Sequence, residues 1–218
     1  MTRIRMSEEM DNNIAFFSAM SSEEFDKYIC EKYPVMFGER HMPVTQTCMC
    51  WGFEIGKGWY RILAELCEKL DVIYQETGIV VVFTQVKEKY GTARFYYNVN
   101  STKKENIKNI DKWYDMISML VDEAESQSAY YCDVCGKYIE SDELRTICIC
   151  GWYYGTCEKC LVKIRPEYQK EINRIKEHKE REEEIISALY YADKEDLKDM
   201  VELAKKITEK SKGKNGKD

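Results

Sequence analysis

The sequence predicts an α+β fold, mostly helical, with a β-hairpin or small antiparallel sheet, a treble-clef or zinc-ribbon-like knuckle module and a C-terminal helical hairpin. Three observations predict it. Apolar residues recur at three- and four-residue steps over several long stretches, which is the period of an amphipathic helix. The segment IVVVFTQVKEKYGTARFYYNV places β-branched and aromatic runs on both sides of a charged turn, the pattern of a hairpin. Two C-x-x-C pairs, Cys132 with Cys135 and Cys157 with Cys160, flank a third pair, Cys148 and Cys150. The expected organisation is an α+β domain over 1–128, a metal module packed on it over 129–165, a charged helical hairpin over 166–210 and a disordered tail over 211–218.

Taken in order, residues 8–20 and 22–33 read as two short helices separated near Ser21. With Ser21 as N-cap, Glu24 falls at the third helical position, as in a capping box. Phe25, Tyr28 and Ile29 give that helix a core face, and Pro34 ends it. Residues 35–50 read as an irregular arm containing Gly38 and Pro43. Cys48 and Cys50 there form a C-x-C, a weaker metal signal than C-x-x-C, for which His41, Cys30 or Cys67 would have to supply further ligands.

The stretch WGFEIGKG, residues 51–58, has the glycines of a phosphate-cradling loop but lacks the G-x-x-x-x-G-K-[ST] order. It therefore reads as a turn delivering the chain into a helix over about 59–76. That helix carries Trp59, Ile62, Leu63, Leu66, Leu70 and Ile73 on one face, and Gly78 is its natural stop. The hairpin follows, its turn ending in Tyr90-Gly91, with Lys87, Lys89 and Arg94 as the most basic spot of this half. A helix over 102–128, striped by Ile107, Ile110, Tyr114, Ile117, Val121 and Ala124, leads straight into the first cysteine pair. Beyond Pro166 a highly charged helix and a second one from Asp193, striped by Leu197, Met200, Val201, Ala204 and Ile207, complete the chain.

With 218 residues, 44% of them hydrophobic and 33% charged, the chain is long enough to bury a core. Its mean hydropathy of -0.56 and the lack of an apolar run of roughly 20 residues argue against a membrane protein. The opening MTRIRMSEEMDNNIAFF is interrupted by acidic and amide residues, unlike a signal peptide. A net charge of -6 argues against wholesale phosphate-backbone binding, leaving only local basic patches for that role.

The outer four cysteines, Cys132, Cys135, Cys157 and Cys160, have the spacing of a closed zinc site. Each C-x-x-C makes a tight knuckle whose thiolates converge, and two knuckles complete a tetrahedron. Gly136 suits the turn beneath the metal. Disulfides would fit an oxidising compartment, and a redox C-x-x-C would open a helix after a buried strand; neither context surrounds these pairs. The expected cofactor is Zn(2+) in a structural role, because four thiolates leave no position for water or substrate. Cys148 and Cys150 are alternate ligands, or they lie on a short strand with one of the two thiols packed.

These residues resemble a family of small zinc-ribbon proteins of bacteriophages and prophages. The matching segments are TCMCWGFEIGKGWYRILAELCEKL, TQVKEKYGTARFYY, CDVCGK and GWYYGTCEKC, which together span roughly residues 45–160. The resemblance implies a mobile-element origin, a bacterial cytoplasmic location and a metal-binding ribbon. Its GW-x-x-T segment, here Gly151, Trp152 and Thr156, precedes the second pair and implies Cys157 and Cys160 as ligands over Cys148 and Cys150.

No nucleophile elbow, HExxH, Walker loop or H-x-E deaminase pattern occurs. The expected function is therefore non-enzymatic, acting through protein–protein interaction as a modulator of a host or phage factor, with self-association through the C-terminal helices. The alternative is a nucleic-acid-binding ribbon in which Lys87, Lys89 and Arg94, joined by Lys159, Lys163 and Arg165, line one face.

Overall fold

The structure, a computed structural model, describes residue 13 and residues 15–102, 110–140 and 146–212. The expected helix start at residues 8–12, the start of the helix at 103–109 with its Ile107, and the tail after residue 212 lie outside the described residues.

Helix α1 (Ser22–Lys32) begins as its sequence dictates. The Ser21 hydroxyl accepts the Glu24 N–H at 3.2 Å, and the Glu24 carboxylate accepts the Ser21 N–H at 2.8 Å. This reciprocal pair satisfies two amide donors that the first turn leaves unpaired. Phe25 and Ile29 are buried, and the Phe25 ring stacks on Tyr60 at 3.9 Å. The following loop is tied back by Arg40, whose Nε donates to Asp26 of α1 at 2.9 Å and whose Nη1 donates to the Cys50 carbonyl at 3.2 Å.

Where the sequence suggested only a turn, Phe53–Glu54 forms a short strand, β1, paired parallel with β2 (Ile79–Lys89). Two residues between glycines carry no period that could announce a strand; the long-range partner, Val86 opposite Phe53, creates it. Helix α2 (Tyr60–Thr77) buries Ile62, Leu63, Leu66 and Leu70 and stops at Gly78, which takes φ 73° and donates to the Tyr74 carbonyl at 2.7 Å.

Strand β2 pairs antiparallel with β3 (Thr92–Ser101) through a two-residue turn, Tyr90 at φ 55° and Gly91 at φ 79°. Positive φ at both central positions matches the right-handed twist of the flanking strands. Helix α3 (Ile110–Ser128) packs Ile117, Val121 and Ala124 into the core. It also covers the edge of β3: Ser128 Oγ accepts the Ala93 N–H and Glu125 Oε1 accepts the Phe95 N–H, both at 2.8 Å. Edge amides that would otherwise be open to another strand are thereby paired. One buried cluster, with Phe25, Trp59, Leu63, Phe83, Phe95 and Ile117 among its members, joins α1, α2, the sheet and α3.

A second hairpin, β4 (Ile147–Ile149) and β5 (Trp152–Tyr154), leads into helix α4 (Glu158–Ile164). The chain divides into two compact units, residues 1–169 and 170–218, so the cysteine module belongs to the same unit as the α+β body. The second unit comprises most of α5 (Gln169–Tyr191) and all of α6 (Lys194–Lys212). Asp193 caps α6, its Oδ1 accepting the N–H groups of Glu195 at 2.7 Å and Asp196 at 2.9 Å. Ile185, Ile186 and Leu189 of α5 and Leu197, Val201 and Leu203 of α6 are exposed.

Candidate metal centre

Cys132 and Cys135 lie on a tight reversal. The Gly136 N–H donates to the Cys132 carbonyl at 2.8 Å, the Cys132 N–H donates to the Lys137 carbonyl at 2.9 Å, and Tyr131 bridges Tyr138. Gly136 sits at φ 70°, a conformation a side chain would disfavour. The second pair is set by a helix start: Cys157 is the N-cap of α4 and Cys160 lies in its first turn, donating its N–H to the Cys157 carbonyl at 3.0 Å. The order is knuckle, hairpin, helix, which is the treble-clef form of the two expected modules.

The four sulfurs lie within 4.8 Å of one another, with Cys135 Sγ and Cys157 Sγ 4.0 Å apart. A metal–thiolate bond of about 2.3 Å spaces the sulfurs of a tetrahedron about 3.8 Å apart, so the set fits one ion with a small contraction. All ten cysteines are free thiols, and among the described residues this is the one group of three or more metal-ligating side chains. Burial raises the Cys132 thiol, and the facing Cys157 raises it further. Burial and hydrogen bonding with Cys135 and Cys157 push Cys160 up to about 12. Cys135 is lowered: burial opposes ionisation there, but the Lys137 N–H and the neighbouring thiols donate to it. Four sulfurs this close cannot all ionise against one another unaided; a cation among them removes the conflict.

The module is seated by close backbone approaches and by the Trp59 indole. The Gly58 N–H donates to the Asp133 carbonyl at 2.7 Å, Trp59 Nε1–H donates to the Tyr131 carbonyl at 2.6 Å, and the Asp133 N–H donates to the Gly155 carbonyl at 2.8 Å. Thr156 Oγ1 donates to Asp133 Oδ1 at 2.6 Å. A Cβ on Gly58 would stand 2.1 Å from the Cys132 carbonyl oxygen, one on Gly56 2.1 Å from that of Asp133, and one on Gly155 2.2 Å from that of Gly91. The loop before α2 and the segment before Cys157 therefore close on the first knuckle, and the tip of the β2–β3 hairpin closes on Gly155 of that segment. These glycines were missed as part of the site; the G-x-G-W pattern of residues 56–59 was the available signal. Beside them the buried Arg61 lays its guanidinium 4.6 Å from the ring centroid of Tyr131, a contact favoured by the ring's negative face.

Cys148 and Cys150 stay outside the cluster. Ile147 and Ile149 take the buried face of β4, which turns Cys148 outward, and Cys150 occupies the β4–β5 turn at φ 52° before Gly151 at φ 80°. Both thiols are exposed, so the expectation that one of them packs is overturned. The weaker set around Cys48 does not assemble either. Cys50 Sγ contacts the Thr47 carbonyl at 3.2 Å, Cys30 Sγ contacts Asp26 at 3.4 Å, and Cys67 is buried in the core. Of the basic spot, Arg94 is drawn to Glu125 at 3.5 Å, whereas Lys87 lies 5.1 Å from the Tyr96 ring and Lys89 5.3 Å from the Tyr90 ring.

The fold and the site together define a class: an α+β chain carrying a four-cysteine cluster close enough to hold a metal ion. No protein family, curated protein or solved structure matches the chain. Among the described residues, no helix is long and apolar enough to cross a membrane.

Proposed function

We propose that the chain is a non-enzymatic zinc-binding protein acting through protein–protein interaction, as a modulator of a host or phage factor in the bacterial cytoplasm. The observation that carries this reading is the closed set of four sulfurs, whose first knuckle is gripped by the backbone of the Gly56–Gly58 loop. Zn(2+) is the ion such an all-thiolate tetrahedral set suits best, and a set with no fourth-position vacancy supplies scaffolding rather than chemistry. Free thiols throughout suit a reducing compartment. The surfaces available for partners are the exposed aromatics of the module, Trp152 and Tyr153, and the apolar side chains of α5 and α6, which also support self-association.

Two measurements test it. Elemental analysis of the purified chain is expected to return one zinc per molecule. Affinity capture from bacterial extract, with and without phage infection, is expected to retain a partner on the loaded protein and to lose it after chelation. Iron in place of zinc, or the same captured set from both preparations, contradicts the reading. A second reading, nucleic-acid binding, is favoured by one specific observation: Lys87 and Lys89 share a face of β2 beside exposed tyrosine rings.

A further inference from the structure

The outward face of the β2–β3 hairpin carries rings and cations in alternation, and the run continues onto the cysteine module. Tyr96 of β3 is 41% exposed, and the Lys87 ammonium lies 5.1 Å from its ring centroid. Lys89 stands two residues further along β2, on the same face because strand side chains alternate with period two. Its ammonium lies 5.3 Å from the ring of Tyr90, which the positive-φ turn lifts to 66% exposure. The Tyr90 ring in turn meets Tyr153 of β5 edge-on, with centroids 5.9 Å apart. Tyr96, half-buried Lys87, Lys89, Tyr90 and Tyr153 thus make one continuous stripe, met at its far end by the cysteine module.

We infer that this stripe binds single-stranded nucleic acid, the lysines meeting phosphates and the tyrosine rings stacking on unpaired bases. The inference rests on the second reading above and gives it a site. Phosphate contacts alone would accept a duplex or any polyanion, but flat exposed rings reward only bases that are free to unstack and lie on them. The stripe has one acidic neighbour: exposed Glu54 of β1 is in register with Lys87, and its carboxylate accepts from Gln85 Nε2 at 3.5 Å on the same face of β2. A polyanion bound there is repelled by Glu54, and an uncharged partner is indifferent to it.

The test is fluorescence anisotropy with the full metal-loaded chain and a labelled mixed-sequence single-stranded oligonucleotide of about 20 nucleotides, a site size ample for one stacking platform. The same duplexed sequence and a polyglutamate peptide serve as competitors. Tyr96→Ala and Tyr90→Asn are expected to weaken binding roughly five- to a hundredfold each, the range of one lost base stack. Asparagine is chosen at position 90 because it tolerates the turn's positive φ. Lys87→Gln with Lys89→Gln should flatten the slope of log affinity against log salt by about 1.4, two single-strand phosphate contacts, and Glu54→Gln should tighten binding. Metal content and circular dichroism of each variant show that the fold is retained. Absence of binding at low salt, binding that survives both tyrosine changes, or equal competition by polyglutamate, which would reassign the stripe to an acidic protein surface, overturns the inference. Those outcomes leave zinc content and chelation-dependent protein capture untouched, so failure of the stripe is separable from failure of the scaffold reading.

Discussion

Gly58 has room for a hydrogen and nothing larger, because the Cys132 carbonyl oxygen and the Gly136 nitrogen stand where a methyl group would be. Both obstacles are backbone, so the clash cannot be relieved by a rotamer change. Gly58→Ala is expected to cost at least about 2 kcal/mol in denaturant unfolding, at the upper end of overpacking effects, and to weaken metal retention in a chelator competition. Glu125 poses a different question. Burial raises its carboxyl, while the Phe95 N–H and Arg94 oppose the shift. A carboxyl raised in the folded state binds its proton more tightly there, so its stabilising contribution is complete below the unfolded pKa and is lost as pH rises through the folded one. At neutral pH ionised Glu125 is a net cost. Glu125→Gln keeps an acceptor for Phe95, and its urea midpoint at pH 7 should equal or exceed that of the parent while its stability varies less between pH 7 and mildly acidic pH. A loss above about 1 kcal/mol would instead make the Arg94–Glu125 pair net stabilising, beyond what partly exposed pairs usually contribute.

Among the elements, those governed by local chemistry were legible in the sequence and those created by distant partners were not. The Ser21–Glu24 cap, the Gly78 stop and the Tyr90-Gly91 turn each follow from residues within a few positions of one another. The outer cysteines were legible too, since knuckle spacing is itself local. Strand β1 was hidden because its pairing with Val86 is what makes it a strand, and the Gly56–Gly58 seat was hidden because its occupant, Cys132–Asp133, lies in another part of the chain. Cys148 and Cys150 were misread because strand positions two apart share a face. With Ile147 and Ile149 inward neither thiol packs: Cys148 turns outward and Cys150 leaves the strand for the turn. The joint between α2 and the module is carried by Trp59, fully buried, with its indole N–H on the Tyr131 carbonyl. Trp59→Phe strands that carbonyl without its donor and should cost about 1–3 kcal/mol, measured by chemical denaturation with the metal still bound.

For the molecule as a whole, residues 1–169 hold a buried core and the cysteine cluster, whereas the helices of 170–218 expose Ile186 and Leu189 on α5 and Leu197 and Val201 on α6. Apolar side chains left in water at helical spacing favour pairing with another helix. Light scattering of the full chain should show concentration-dependent association that Ile186→Lys with Val201→Lys abolishes, without change in metal content; a monomer at every concentration would remove the helices as an interface. The four sulfurs lie close enough to hold one ion, and the role proposed for that ion is to staple the knuckle on which the Gly56–Gly58 loop closes. Thermal unfolding of the metal-loaded chain against the chelator-stripped chain tests this most directly. Metal binding energy is folding energy when the site forms only in the fold, and each kcal/mol shifts the midpoint of a chain this size by about 2–4 °C. The stripped chain is predicted to melt at least about 10 °C lower and to recover on adding zinc; two superimposed melting curves would contradict the account.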